Sequence, residues 1–238
     1  MDWTFLGATF LRLLGALPVT LEVWALSVSI GALIGMGITW MRVSGSKPLA
    51  LIARGYISVF RGTPLLIQLF VIYYGLASFP AVRASFLWPF LRDAFSCAVL
   101  SLALCTAAYS SEIFRGALAT VPHGQIEAAR ACGMSGWRLF SRVLFPIAFR
   151  QALPAYSTEV ISMTKATALV SLVTLWDLMS VALKIRNDTL VTYTPLLVAG
   201  AIYFVVNFLL ARALAALEYV LSPHLRGRPL FNRAPDVL

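Results

Sequence analysis

Five long runs of apolar residues, separated by short polar stretches, dominate the pattern along this chain. A helix needs roughly 20 residues to cross a hydrocarbon core about 30 Å thick, and the runs approach or exceed that length. We therefore predict an all-α integral membrane protein with five transmembrane helices, forming a single permeation domain over residues 1–238. The predicted spans are residues 18–41, 63–79, 94–111, 151–176 and 189–211.

Residues 3–17, which precede the first span, are also apolar but carry Arg12. They fit either an amphipathic helix on the membrane surface or an extension of the first span. Within that span, Ser27, Gly31 and Gly35 recur at every fourth residue, and small residues at this spacing allow close helix approach. The neighbouring helix belongs either to the same chain, which we favour, or to a second subunit.

Composition supports a membrane protein, because 60% of the residues are hydrophobic and 12% are charged. Soluble domains carry about a quarter charged residues. A buried helix of a soluble protein would explain one apolar run but not five. Asp2 stands where a signal peptide would be basic, so we expect no cleaved signal. The three cysteines do not indicate a disulfide framework.

Basic residues are unevenly distributed, and most of the 19 follow spans one, three and five. By the positive-inside rule these segments are cytoplasmic, which places the N-terminus outside and the C-terminus inside. The net charge of +9 reflects this bias, so we expect no nucleic-acid partner. The residues on the predicted cytoplasmic side are Arg42, Lys47, Arg54, Arg61, Arg115, Arg130, Arg138, Arg142, Arg150, Arg212, Arg226, Arg228 and Arg233.

The predicted cytoplasmic loop of residues 120–146 carries the triplet Glu127-Ala128-Ala129. The triplet lies among good helix formers, and the following Gly133 suits a helix C′ position that needs positive φ. The pattern predicts two short helices around this glycine. On spacing alone, such a pair fits an interfacial loop as well as it fits a docking element.

This loop resembles the EAA loop of ABC-transporter permeases. In that pattern a glycine stands four residues after the last alanine, and an Ile-x-Leu-Pro ending follows nine residues later. Valine and phenylalanine replace the isoleucine and leucine here. The positions that match are Glu127, Ala128, Ala129, Gly133 and Pro146. The resemblance implies a cytoplasmic coupling helix through which a separate ATPase moves the membrane subunit.

Further motifs resemble those of the polar amino-acid permeases. Residues 61–68 are similar to the RGTPLL-x-Q signature of that group, and residues 108–116 are similar to its AY-x-x-E-I-x-R-G segment. Residues 165–169 resemble the K-x-T-S-L block, with Ala168 in place of serine. Within the group, the chain most resembles the M-type subunit of histidine, lysine/arginine and octopine or nopaline importers.

The resemblance implies a permease subunit of an ATP-driven, binding-protein-dependent importer in a bacterial inner membrane. Its cargo would be a polar, in particular basic, amino acid or derivative. The implied partners are two ATP-binding cassette ATPases, a second permease (a Q-type paralogue, giving a heterodimer), an extracytoplasmic solute-binding protein and membrane lipid. ATP and magnesium would be used by the partner ATPase, and this chain is expected to bind no cofactor or metal.

Four ionisable residues fall in or beside predicted spans: Glu22, Glu112, Glu159 and Lys165. A charge at membrane depth is costly unless it faces protein or water. These residues therefore mark either interhelical ion pairs, which we favour, or a substrate pathway. Counted from residue 151 along a continuous helix, Lys165 would lie about 21 Å into the fourth span.

The sequence contains no phosphate-binding loop and no His, Cys and carboxylate spacing typical of a metal site. We therefore predict that this chain is not itself an enzyme. Two alternatives remain at this stage. One is an ion-gradient-driven secondary transporter with Glu159 or Lys165 as coupling sites, and the other is a membrane scaffold or sensor. Uptake that needs ATP without an ion gradient indicates an ATP-driven importer, and the reverse indicates a secondary transporter.

Overall fold

The computed structural model describes residues 3–221, and this part of the chain consists of helices joined by short turns. The all-α prediction is confirmed. The α-helices are, in chain order, α1 Trp3–Val43, α2 Lys47–Gly62, α3 Leu65–Phe70, α4 Pro80–Arg83, α5 Trp88–Leu91, α6 Ala94–Ala119, α7 His123–Ala131, α8 Gly136–Leu139, α9 Phe145–Ala166, α10 Leu178–Thr189 and α11 Tyr193–Leu221. Two π-helical turns, Val71–Gly75 and Phe140–Leu144, and two 3₁₀ segments, Leu76–Ser78 and Thr167–Leu172, complete the described helices.

The first helix is much longer than predicted, because α1 has 41 residues and includes residues 3–17. The alternative of a separate surface helix for residues 3–17 is therefore wrong. Leu13 is fully buried in a cluster with Leu178 of α10 and with Ala199 and Ile202 of α11. This packing supports the extension. At 1.5 Å per residue the helix is about 61 Å long, roughly twice the thickness of a hydrocarbon core.

The small residues of α1 pack against α6 of the same chain. A Cβ atom on Gly31 would lie 2.8 Å from the Thr106 Cβ, and one on Gly35 would lie 3.0 Å from the Ser110 Cβ. Further along, the Thr39 hydroxyl donates to the Ser111 carbonyl at 3.1 Å. The contact residues of α1 and their partners on α6 follow each other in the same order along the sequence, so α1 and α6 run parallel. The small residues of α1 therefore pack against a helix of the same chain, which is the alternative that we favoured from the sequence.

The second predicted span, residues 63–79, corresponds to one helical stretch of residues 65–78, made of α3, a π-helical turn and a 3₁₀ segment, whereas helix α2 before it was not predicted. The chain bends by 106° between α2 and the helical stretch of residues 65–78. Pro64 causes the break, because its ring removes a backbone N–H and restricts the preceding residue to extended conformations. Thr63 accordingly has φ −112° and ψ 145°.

Two further span boundaries differ from the prediction. The predicted helix of residues 151–176 is instead α9, which begins at Phe145, followed by a 3₁₀ segment, so Lys165 lies in the last turn of α9. The helix is continuous from residue 151 to Lys165, and the depth of Lys165 in a membrane stays a prediction. The connection to the last span contains a separate helix, α10. The Asp177 carboxylate caps α10 by accepting hydrogen bonds from the Met179 and Ser180 amides.

Three described helices, α1, α6 and α11, are long and apolar enough to cross a membrane, and the bent α2–α3 pair would make a fourth. Helix α9 is not among them, because it contains Arg150, Glu159 and Lys165. The count of five spans therefore stays a prediction. Arg226, Arg228 and Arg233 lie outside the described residues.

The centre of the fold is formed where α1, α3, α6 and α9 meet. Its buried side chains include Val23, Leu69, Leu102 and Met163, with Val170 from the 3₁₀ segment. Helix α9 crosses this region antiparallel to α6, since the start of α9 packs against the end of α6. The α6–α9 connection, which contains α7 and α8, therefore projects from one end of the bundle.

Candidate functional site

Helix α7 carries the Glu127-Ala128-Ala129 triplet and ends in a Schellman motif. The Gly133 amide donates to the Arg130 carbonyl at 2.9 Å, and the Met134 amide donates to the Ala129 carbonyl at 3.0 Å. Gly133 has φ +78°, a value that glycine adopts without steric cost. The positive φ expected at this position is therefore present.

The loop is attached to the bundle by one apolar face of α7. Ala129 is buried, and Ile126 packs against a cluster formed by the end of α6 and the start of α9. The members of this cluster are Ala117, Val121, Ala148 and Ala152. The opposite face is free in the single chain, because Glu127, Ala128 and Gly133 are exposed. Pro146, half-buried, lies in the first turn of α9, where its missing N–H has no cost.

The second short helix of the loop is less regular than expected. Helix α8 has only four residues and continues into a π-helical turn that joins α9 directly. Leu139 is buried, but Trp137 is 75% exposed. The tip of the loop thus presents a large apolar ring beside a charged α7 face, a combination typical of a surface that meets another protein.

Glu112 forms an ion-paired group at the same end of the bundle as the loop. Its Oε1 accepts from Arg42 at 3.0 Å, and its Oε2 accepts from Arg115 at 2.7 Å. Arg42 is the last basic residue of α1, so the pair joins the ends of α1 and α6. For Glu112, the ion-pair interpretation is the one observed.

Glu159 has a different environment. It is half-buried on α9, and its Oε1 is buried without a hydrogen-bond partner among the described residues. Arg61 acts electrostatically on this carboxylate and on Glu112. The Arg61 guanidinium lies 5.1 Å from the centre of the Tyr109 ring, within the range of a cation–π interaction.

Helix α9 is held beside α1 on both sides of Glu159. The Trp24 indole N–H donates to the Val160 carbonyl at 3.0 Å, and the Tyr156 hydroxyl donates to the Val28 carbonyl at 3.5 Å. These contacts keep the Glu159 side chain at a fixed level of the bundle. It faces a region that contains Arg61 and is bordered by aromatic rings.

The structure does not bring the other two intramembrane candidates into this group. Glu22 on α1 and Lys165 at the end of α9 are both exposed in the single chain. Neither takes part in an ion pair among the described residues.

From the sequence, Arg61 was placed only on the predicted cytoplasmic side and Gln68 only within the motif of residues 61–68. Both flank the break between α2 and α3, and Gln68 donates hydrogen bonds across it. In the sequence, the signal for this break was Pro64, which follows shortly after the charged Arg61. The long-range pairing with Tyr109 had no local signature.

The described residues contain no group of His, Cys, Asp and Glu able to hold a metal ion. The main features of the described residues are the projecting loop and the region between helices in which Arg61 acts electrostatically on Glu159.

A family model described as the binding-protein-dependent transport system inner membrane component matches residues 27–220. The chain belongs to this family. The permease is 49% identical over 235 residues to the octopine transport system permease protein OccM of Rhizobium radiobacter, covering 99% of this chain and 96% of that protein. It is 43% identical over 229 residues to the nopaline permease NocM of Agrobacterium fabrum (strain C58 / ATCC 33970), covering 96% and 95%.

Among solved structures, the permease matches the crystal structure of an amino acid ABC transporter with histidines. The TM-score is 0.82 at 35% identity, covering 92% of this chain and 99% of that one. These matches confirm the expected family and the type I ABC importer permease fold. They decide against the secondary transporter and the scaffold. ATP hydrolysis belongs to a partner subunit, since the relatives are permease proteins.

Proposed function

We propose that the permease imports a polar, in particular basic, amino acid or an opine across a bacterial inner membrane, driven by a partner ATPase that binds ATP and magnesium. The observation that carries this proposal is the exposed face of α7, which stands on the junction of α6 and α9. A push on α7 moves both helices because Ile126 is packed against that junction. In this proposal the exposed Glu127 and Ala128 contact the ATPase.

The proposed topology has five spans, with α9 as the fourth and the N-terminus outside. The meeting of Arg42, Arg61 and Arg115 near Glu112 supports it, because this end of the bundle also carries the loop and is rich in basic residues. Helix α9 can cross a membrane despite its charges if Glu159 and Lys165 face protein or a hydrated pathway.

The proposed assembly contains two ATPases, a second permease and an extracytoplasmic binding protein. We propose a Q-type paralogue as the second permease. The cargo then passes between two permeases, and residues that are exposed in the single chain, such as Lys165 and Glu22, face the partner, lipid or the pathway. Alternating access follows when the ATPases close and move both coupling loops together.

For the substrate, we propose that Glu159 attracts the cationic group of a basic amino acid. Its buried Oε1 lacks a hydrogen-bond partner among the described residues, and a buried acceptor in this state gains from a charged donor. Arg61 offers the opposite charge for a carboxylate of the same solute. The names of the relatives, octopine and nopaline permeases, agree with a solute that carries both kinds of group.

Coupling is tested by Gly133→Trp in the transporter purified with its partners. A tryptophan at φ +78° cannot keep the Schellman motif, and its ring would occupy the docking face. We expect assembly with the ATPase to weaken and solute-stimulated transport to be lost, while basal ATP hydrolysis persists. Normal solute-stimulated transport in this variant would reject the role of the loop.

Substrate contact is tested by Glu159→Gln, which keeps the shape of the side chain and removes its charge. Uptake of arginine or octopine is expected to fall by about tenfold, equivalent to about 1.4 kcal/mol. Glu218→Gln, near the end of α11, is the matched control and should change uptake by less than about twofold. Equal uptake by wild type and Glu159→Gln would show that this carboxylate does not contact the cargo.

A further inference from the structure

The break between α2 and α3 leaves the Phe60 backbone carbonyl without its usual partner. In a continuing helix this carbonyl would accept a hydrogen bond from the amide of residue 64. Residue 64 is a proline and has no N–H. Thr63 has extended backbone angles, so the chain turns away from the helical path at this residue.

Two side chains donate to carbonyls in the last turn of α2. The Thr63 hydroxyl donates to the Val59 carbonyl at 2.8 Å. The Gln68 Nε2 donates to the Phe60 carbonyl at 2.8 Å and lies 3.0 Å from the Thr63 carbonyl and 2.9 Å from the Thr63 hydroxyl oxygen. Gln68 therefore supplies the donor that Pro64 lacks, from the other side of the bend.

The position of Gln68 is itself strongly constrained. Its side chain is only 8% exposed, and the two carbonyl oxygens beside Nε2 require that atom to be the amide nitrogen. The adjacent Leu69 is 2% exposed in the central cluster. At the outer end of the same helical stretch, the Tyr73 hydroxyl is paired with the Thr174 hydroxyl at 2.8 Å.

We propose that Gln68 is a positioning residue for transport. Its side-chain amide holds the 106° bend between α2 and α3, which we call the elbow (residues 59–68). The elbow sets the direction in which α2 ends, and Arg61 lies in the last turn of α2. Gln68 thereby places the Arg61 guanidinium over Tyr109 and within electrostatic reach of Glu159. The consequence for transport rests on the proposed substrate pathway, whereas the geometry of the elbow does not.

The direct test is the geometry of the elbow in the assembled transporter. Gln68→Met keeps the length of the side chain and removes both donors, and exposed Gln151→Met on α9 is the matched control. Spin labels at Ile52 and Val71, both exposed, report the distance across the elbow in a Cys132→Ser background. We expect a narrow distribution for wild type and Gln151→Met, and a broadened or shifted one for Gln68→Met. An unchanged distribution in Gln68→Met would overturn the proposal.

A pH signature separates positioning from simple core filling. Gln68→Glu has the same shape, but its carboxylate cannot donate to the Phe60 carbonyl, whereas the protonated acid can. ATP-driven uptake by Gln68→Glu, divided by that of wild type at each pH, should rise about tenfold as the pH falls and the acid forms. Because an ionised carboxylate is costly at a buried position in any case, the deciding comparison is with Gln68→Met at low pH, where only the protonated acid of Gln68→Glu can donate. Equal uptake by these two variants at low pH would reject the positioning role.

The two proposals fail in different ways. If wild type shows no ATP-driven uptake of arginine or octopine, the proposed substrate class is wrong, but the label distances still decide the role of Gln68. If wild type transports and Gln68→Met moves the labels without lowering uptake, the elbow exists but does not position the pathway, and the present proposal is rejected.

Discussion

At the scale of single residues, the sequence was most informative where backbone conformation demands one residue type. The glycine after α7 was predicted to need positive φ and has φ +78°. Charges were harder to interpret. The ion pair between Arg42 and Glu112 joins residues that are 70 positions apart, and no local pattern reports such a contact.

Gly133→Ala should loosen α7 without removing any side-chain contact. A non-glycine residue at this φ costs about 1 kcal/mol, so amide exchange in α7 should accelerate about fivefold. Gly124→Ala is the control, because it lies within α7 where nothing surrounds a Cβ and alanine favours the helix. Hydrogen exchange with mass spectrometry measures both variants. Equal acceleration in the two would contradict the conformational explanation.

The ion-paired group makes an asymmetric prediction. Glu112→Gln leaves Arg42 and Arg115 facing each other without a counter-charge, whereas Arg115→Gln leaves the Arg42–Glu112 pair intact. We expect Glu112→Gln to cost about 2 kcal/mol and Arg115→Gln, which removes a partner that is 38% exposed, to cost less than about 1 kcal/mol. Thermal unfolding of the purified transporter compares them. A larger loss for Arg115→Gln would contradict this ranking.

At the scale of helices, their existence and type could be predicted better than their ends. The apolar runs located α1, α6 and α11 correctly, but residues 3–17 could not be assigned from their own pattern. Their place in α1 depends on tertiary packing of Leu13 against α10 and α11. The second span was predicted to begin at residue 63, and the helical stretch begins at residue 65, directly after Pro64. Helix α2, which precedes it, was not predicted.

The contact between α1 and α6 is sensitive to a single methyl group. In Gly31→Ala, the new Cβ would lie 2.8 Å from Thr106 side-chain carbons and 2.9 Å from the Ala103 carbonyl oxygen. The helices must separate, at a cost of about 1–3 kcal/mol. Gly37→Ala on the same helix, where nothing lies within 4 Å, should be neutral. Thermal unfolding of both variants checks this, and equal stability would show that the packing is not tight.

At the scale of the whole molecule, the family could be predicted from motifs, and the fold followed from the family. Composition and charge alone supported a membrane protein with a loop-bearing cytoplasmic side. They could not have placed Glu159 opposite Arg61, since that juxtaposition depends on the bend at Pro64 and on the antiparallel course of α9.

The proposed orientation predicts opposite labelling of two sites. Cys132 is exposed directly after α7, whereas Cys97 and Cys105 are buried. Phe86, which is 88% exposed between α4 and α5, provides the other side as Phe86→Cys in a Cys132→Ser background. A membrane-impermeant maleimide should label Cys132 of the wild type only in inside-out vesicles, and the thiol introduced by Phe86→Cys only in right-side-out vesicles. Labelling of both sites from one side would contradict the topology.

The close contact between α1 and α6 has a mechanical consequence. The two backbones leave little room for a Cβ at Gly31 or Gly35, and the Ser27 and Thr39 hydroxyls donate to carbonyls of α6, so the pair has low compliance along the whole Ser27–Thr39 seam. A displacement applied to the end of α6 is therefore expected to reach α1 without being absorbed by elastic deformation. The two helices should move as one rigid unit within the permease.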